Sequence, residues 1–274
     1  MRLADYLRKI GVAPPFDGMG ETLRRVHVAH RETFLFENIT IQGGGGISLA
    51  LGDLERKFLD QGGGGYCFEH NTLFAAALRD LGLTVATLLA RVRNGPPDRW
   101  VRTHMVLRVR IDGAPWLADV GYGGFGLIEP MPLVEGATAD QGGAVYTLRR
   151  EDGAWILSMR DSSSVADLYE FTEDSQTAAD IEVANHYTAT HPDSRFRRIL
   201  TIQRGTHDER TLLRGDRLIR FRDGRTTEEP VSREQLRSVA RDVFGVELPP
   251  PPLIFESYAT PGTDIALAVD KPSA

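Results

Sequence analysis

One cysteine, seven histidines and three glycine-rich stretches are the residues of this chain whose types and spacing could do chemistry. Cys67 follows the glycine run 62–65 with only Tyr66 between, and it opens a segment whose apolar residues Phe74, Ala77, Leu78 and Leu81 recur at i, i+3, i+4 and i+7. That spacing predicts a helix, and Gly82 supplies its stop. A lone cysteine is most often a small buried hydrophobe. At the start of a helix, however, free N–H groups and the helix dipole favour the thiolate. Glycines ahead of it leave room for a substrate carbonyl to approach the sulfur. The chemistry such a thiol would do is nucleophilic attack, which needs a base and a group that orients the base.

Among the histidines, His104 stands at the start of an alternating segment, VLRVRI (106–111), followed by Asp112-Gly113 and a return segment from Ala114 to Val120. Asp-Gly between alternating runs is a strong hairpin signal. A two-residue turn there sets residue 104 opposite residue 121, and Asp119 lies on the same face two residues earlier. His104 and Asp119 are then diagonal cross-strand neighbours at roughly 7–8 Å between backbones. Asp119 sits in an apolar strand, PWLADVG, where an unpaired carboxylate is expensive. A surface histidine beside an edge-strand aspartate remains the alternative, and it explains that position less well.

The other glycine stretches do not read as nucleotide loops. The runs 43–46 and 62–65 lack the Gly-Lys-Ser/Thr ending of a P-loop. GYGGFG (121–126) matches G-x-G-x-x-G after a strand, but Pro130 and Pro132 forbid the helix that would hold a pyrophosphate. What remains there is a tight turn or a close backbone approach. His27 and His30 lie three apart on a predicted helix; HVAHRE is not a zinc-protease motif, and no third ligand is identifiable. They read as packing, with no metal.

The elements that must position these groups follow from periodicity. Helices are expected at Leu3–Ile10, from Glu21 to Arg31, from Leu54 to Leu59 and from Cys67 to Gly82. From about 86 to 190 the period changes to two, with VYTLRR (145–150), a Glu-Asp-Gly turn and AWILSMR (154–160) repeating the hairpin pattern. LTIQRG and DRLIRFRDG supply later strands. Ser232 and Gln235 have capping-box spacing ahead of a helix striped by Leu236, Val239 and Val243. Helices, then antiparallel strands, then a mixed segment make an α+β chain and not a doubly wound one. With 274 residues and a single cysteine, the core needs neither disulfides nor a multi-cysteine metal site. A net charge of −6 is a poor footprint for nucleic acid, and no apolar stretch predicts a membrane span or signal peptide. The expectation is a cytoplasmic protein.

In company, the motifs resemble the arylamine N-acetyltransferase family. GGYCFEHN (64–71), THMVLRV (103–109) and LADVGYGG (117–124) are similar to its three active-site blocks. HVAHRETFLFENI (27–39), NHYTATHPDSRF (185–196) and LLRGDRLIRFR (212–222) extend the resemblance over nearly the whole chain in the family's order. The resemblance implies a helical bundle (1–85), an antiparallel β-barrel (86–190) and an α/β lid (191–274) around a cysteine-protease-like Cys–His–Asp core. Cys67 then matches the acetyl-accepting thiol, His104 its base and Asp119 the third member. Acetyl-coenzyme A is implied as co-substrate, with donor contacts at Thr103, Gly121, Tyr122, Gly123, Gly124 and Gly126. Arylamines or arylhydrazines are implied as acceptors, beside Phe36 and Phe125.

Two departures stand out. The family usually has arginine where this chain has Gly63, and often proline where it has Leu35. Losing the arginine is expected to deprive Glu37 of a charged partner and loosen the glycine loop. Rival readings are an amide synthase of the same fold that releases or closes a polyketide chain, a papain-like or transglutaminase-like hydrolase, and a non-catalytic binding module.

Overall fold

The structure is a computed structural model that describes residues 1–93, 95–162 and 164–258. The chain begins with α1 (Leu3–Lys9) and α2 (Met19–Thr33), then β1 (Phe36–Glu37), α3 (Ile39–Gln42) and α4 (Leu51–Glu55). One π-helical stretch, Arg56–Asp60, continues α4, and α5 spans Cys67–Asp80. The helix expected from Leu54 to Leu59 is therefore longer, because Leu54 and Phe58 both drive into the core formed with Tyr6, Leu23, Phe74 and Leu78. Gly82 ends α5 as expected, at φ +88°. Leu83 N–H reaches the Leu78 carbonyl and Gly82 N–H that of Arg79, the paired bonds of a left-handed C-terminal cap.

Eight antiparallel strands follow: β2 (Thr84–Val92), β3 (His104–Ile111), β4 (Ala114–Ala118), β5 (Met131–Pro132), β6 (Thr138–Gln141), β7 (Ala144–Glu151), β8 (Ala154–Arg160) and β9 (Val165–Phe171). Their order, β5-β4-β3-β2-β9-β8-β7-β6, makes a nearly closed barrel around Leu88, Val106, Leu117, Tyr146 and Tyr169. Asp112 and Gly113 both have positive φ, as do Asp152 and Gly153, which is the turn that suits right-twisted hairpins. Ile111 pairs with Ala114 and Leu107 with Ala118, the register on which the His104–Asp119 argument rests.

The remainder comprises α6 (Ala178–Thr190), α7 (Arg195–Arg198), β10 (Thr201–Gly205), β11 (Glu209–Arg214), β12 (Arg217–Arg222), β13 (Arg225–Pro230) and α8 (Leu236–Phe244). The helix α6 corrects the period-two reading of the segment up to 190. Its start carries a Thr177–Asp180 capping box, with Asp180 accepting from Thr177 N–H at 2.9 Å. Apolar side chains on opposite faces, buried Ile181 and exposed Val183, blur its period. At α8, Gln235 accepts from Ser232 N–H at 2.9 Å as the capping spacing requires, but the Ser232 hydroxyl turns to Glu234 and the helix starts at Leu236. The second sheet, β1-β10-β11-β12-β13, is tied to the N-terminal helices by the antiparallel pair Phe36–Gln203. Among the described residues, no helix is long and apolar enough to cross a membrane.

Candidate active site

Cys67 is the first residue of α5, and the helix start is fixed on two sides. Glu69 accepts from Tyr66 N–H at 3.1 Å, and the Tyr66 hydroxyl donates to Asn185 on α6. The thiol is 2% exposed and donates to the carbonyl of Thr103, 3.5 Å away, which places it beside His104. Burial pushes the Cys67 pKa well above that of an ordinary thiol, and the charges of Asp119 and Glu69 add to it; N–H groups of Met105 and Phe68 work against this. The helix start alone therefore does not produce the thiolate expected from sequence.

His104 opens β3 and Asp119 follows β4, and the hairpin brings His104 Nε2 to 2.7 Å from Asp119 Oδ2. The second carboxylate oxygen accepts from Asn71 Nδ2 at 3.0 Å and Gly121 N–H at 2.9 Å. Burial alone would raise the Asp119 pKa; His104, Asn71 and Gly121 outweigh it and hold Asp119 at about 2. An ionised carboxylate only accepts, so Nε2 carries the imidazole proton and Nδ1 keeps a lone pair. Asn71 lies one helical turn beyond Cys67 and also bonds the Met105 carbonyl and Val120 N–H, so α5 holds both strands of the hairpin.

The histidine pair on α2 packs beneath this site. His27 Nε2 accepts from Asp119 N–H at 3.2 Å while its Nδ1 donates to the Ile128 carbonyl at 2.8 Å. Burial, with Arg31 nearby, pushes the His27 pKa down to about 4. His30 joins a buried chain in which every proton position is forced. The Leu35 carbonyl can only accept, so His70 Nε2 donates to it at 3.0 Å, His30 Nε2 donates to His70 Nδ1 at 2.9 Å, and Tyr6 donates to His30 Nδ1 at 2.8 Å.

The 121–126 loop is a close backbone approach, with no helix after it. A β-carbon at Gly121 would stand 2.6 Å from Asn71 Nδ2 and 2.8 Å from the Cys67 Cα. Gly124 N–H donates to Gln203 Oε1 at 2.7 Å, and Gly123, at φ +93°, has that same oxygen 2.5 Å from where a β-carbon would sit. Beneath the loop, buried Arg31 donates to the carbonyls of Gly123 at 2.9 Å, Leu127 at 2.8 Å and Gly126 at 3.2 Å. The loop is thus shaped by a cation from α2, which its own sequence does not reveal.

Lys57 answers the departure at Gly63. Its Nζ lies 2.7 Å from Glu69 and 3.4 Å from Glu37, so Glu37 keeps a charged partner from the π-helical turn. Burial alone would lower the Lys57 pKa, but the two carboxylates outweigh it and raise it. Burial and Glu37 push Glu69 up to about 7 despite Lys57. A β-carbon at Gly63 would stand 3.2 Å from both the Lys57 stem and the Lys57 carbonyl oxygen, a tight contact that requires Lys57 to shift slightly. Lys57→Met should lower stability by about 2 kcal/mol, below the roughly 3–5 kcal/mol of a fully buried broken pair because Lys57 is 21% exposed. The sign with pH follows from Glu69: a carboxyl raised on folding makes stability fall as pH climbs from the unfolded value of 4.5 through about 7. Without Lys57 that window extends upward. Thermal melts should show a wider gap from the parent at about pH 8 than at about pH 6. A gap independent of pH would mean that Lys57 acts only by packing.

Cys67, His104, Thr103, Gly121, Tyr122 and Phe36 converge on one cavity of about 280 Å3. The Tyr122 ring stands edge-on to His104 at 5.3 Å, and Phe36 stacks on His70 at 6.2 Å. Gly123, Gly124, Gly126 and Phe125 do not line it. The three glycines are turned onto Gln203, Leu212 and Tyr122 respectively, and the Phe125 ring packs 6.0 Å from Phe221 on the barrel side. Sequence reasoning missed Asn71, Arg31, Lys57 and Gln203. Only Asn71 offered a signal, its i+4 spacing from Cys67.

The N-acetyltransferase family profile matches residues 21–252. The chain is 36% identical over 211 residues to the arylamine N-acetyltransferase / N-hydroxyarylamine O-acetyltransferase of Salmonella typhimurium, covering 76% of this chain and 75% of that one. It is 34% identical to the arylamine N-acetyltransferase of Mycolicibacterium smegmatis, over 90% and 93% of the two chains. The structure of the Mycobacterium marinum arylamine N-acetyltransferase in complex with CoA superposes with a TM-score of 0.83 at 30% identity, over 89% of this chain and 92% of that one. This chain belongs to the arylamine N-acetyltransferase family.

Proposed function

We propose that Cys67, His104 and Asp119 carry the arylamine N-acetyltransferase reaction of this chain in two half-reactions, with acetyl-coenzyme A as donor and an arylamine or arylhydrazine as acceptor. His104 Nδ1 takes the Cys67 proton, and the sulfur attacks the donor's acetyl carbonyl. The bond from that carbonyl to the coenzyme sulfur breaks, and the coenzyme sulfur leaves with the proton from His104. The acceptor nitrogen then attacks the Cys67 thioester, His104 takes the nitrogen's proton, and the proton returns to Cys67 as the carbon–sulfur bond breaks. Asp119 holds the imidazole in the tautomer this needs and supports its cation. Free N–H groups in the first turn of α5 are placed to stabilise the oxyanion.

The observation that carries this reading is the 2.7 Å His104–Asp119 bond in a cavity shared with Cys67, which leaves Nδ1 as the nitrogen free to serve the thiol. Thr103, Gly121, Tyr122 and Phe36 all line that cavity, which supports reading the first three as donor contacts and the Phe36 ring as an acceptor contact. A reduced lone thiol suits a cytoplasmic setting.

Mixed with acetyl-coenzyme A and no amine, the protein should gain one acetyl group, mapped to Cys67 by intact-mass and peptide mass spectrometry. An arylhydrazine should discharge it and yield N-acetylated product. A protein that stays unmodified at about millimolar donor, the upper end of typical KM values, while iodoacetamide still labels Cys67, would overturn the acetyl-donor assignment. Loading from longer acyl thioesters alone would favour the amide synthase.

A further inference from the structure

We propose that β13 is a self-docking edge through which two copies of this chain pair antiparallel, joining their second sheets into one continuous sheet. β13 ends the order β1-β10-β11-β12-β13, and among the described residues its only strand neighbour is β12. All of its residues are exposed. An open edge presents a row of unpaired N–H and C=O groups, which is a template for another strand. The turn before β13 decides which groups those are. Asp223 and Gly224 both have positive φ, the two-residue turn that closes on Arg222 and Arg225 as a hydrogen-bonded pair. By alternation, Arg225, Thr227 and Glu229 bond to β12, and the amides of Thr226 and Glu228 point outward.

One register serves those outward amides on both copies. It sets Thr226 opposite the partner's Glu228 and Glu228 opposite the partner's Thr226, and each pair exchanges both of its N–H···O bonds across a two-fold axis. Shifted one way, Thr226 meets the partner's Thr226 and Glu228 runs past the strand into the turn. Shifted the other way, Glu228 meets the partner's Glu228, and Thr226 meets the partner's Pro230, which has no N–H to give. The favoured register also sets Arg225 opposite the partner's Glu229 in a non-hydrogen-bonded pair, where side chains approach most closely. Glu229 already accepts from Arg220 on β12, so its carboxylate would lie between two guanidinium groups. Charges on an edge deter pairing in general. Here they deter other strands and other registers and match this one.

Sheet order keeps this edge away from the chemistry. Phe36 on β1 lines the cavity at one end of the sheet, and β13 lies at the other, roughly 19 Å away at about 4.8 Å per strand. Acetyl transfer per chain is therefore the same in one copy or two. A single short strand pair buries less than the roughly 1,200 Å2 of a stable interface, so the dimer is weak and depends on concentration.

Sedimentation velocity on the full chain, from about 1 µM to about 1 mM, spans the range of weak complexes. The mass should rise from one chain toward two. Thr226→Pro removes an outward N–H and no bond to β12, so it should stay monomeric over that range and melt as the parent does. Arg225→Glu turns both symmetric pairs from attraction to repulsion and should weaken association by about tenfold. Register is read by cross-linking. Thr227→Cys meets its own copy across the two-fold axis and should oxidise to a disulfide-linked dimer. The equally exposed Thr226→Cys should not, because the partner's Glu228 stands opposite, and Cys67, 2% exposed, does not compete. A parent that stays monomeric at about 1 mM overturns the proposal. Association that Thr226→Pro and Arg225→Glu leave unchanged also overturns it, by placing the interface on another face. Equal cross-linking of the two cysteine variants overturns the antiparallel register.

Discussion

Cys67→Ser should fold as the parent does and lose acetyl transfer by at least about 10³-fold, since a hydroxyl is a far weaker nucleophile with an imidazole base. The substitution is small, and the serine oxygen can still donate to the Thr103 carbonyl that the thiol now uses, so helix α5 keeps its start. Burial already pushes the thiol up, and a serine alkoxide in the same enclosed position is further out of reach. Steady-state kinetics with an arylhydrazine and intact mass after donor exposure check this together with a thermal melt. A serine variant within tenfold of the parent, with normal melting, would remove the covalent mechanism.

Asp119→Asn should keep the fold and lower kcat by about 10³- to 10⁴-fold, the loss seen when a triad carboxylate becomes an amide. The reason lies in the donors around it. Asn71 Nδ2 and Gly121 N–H both donate to one carboxylate oxygen, so an asparagine must present its own oxygen to them. Its NH2 group then faces His104 Nε2, which must accept, and the proton moves to Nδ1. The base toward Cys67 is lost in the same step, and no negative charge remains to support an imidazolium. Circular dichroism and kinetics on the purified variant test this. Turnover within threefold of the parent would show that Asp119 only holds the strands together. Acid stability gives a second signature. A carboxyl held at about 2 against the usual 3.8 contributes stability that is present above 3.8 and lost as pH falls through about 2. The asparagine variant should lack that step.

Much of this site was legible because its key relations are local. The Asp112-Gly113 turn and a period of two place residue 104 near residue 119 with no knowledge of the rest of the chain, and the structure pairs Leu107 with Ala118 in that register. The glycine run and apolar stripe likewise place Cys67 at the first turn of α5, and Gly82 at its end. Turn chemistry and side-chain alternation depend on neighbours a few residues away, so the sequence determines them directly. The helix α6 escaped because its apolar residues occupy both faces, and β13 because all six of its residues are exposed and show no alternation.

Only the tertiary structure decided which distant groups complete the site. Lys57 reaches Glu37 and Glu69, so the expected loosening at Gly63 is offset by a cation with no motif of its own. Arg31, from α2, shapes a loop more than ninety residues away, and the packing of Phe125 against Phe221 takes that ring off the cavity wall. Phe36 pairs with Gln203 and so closes the site with the last sheet. By itself the sequence determined that Cys67 opens a helix, that His104 and Asp119 meet across a hairpin, and which turns present them. Which buried cations find carboxylates and which find carbonyls depends on chain segments brought together by packing, where desolvation and distance set the outcome and sequence spacing carries no record of either.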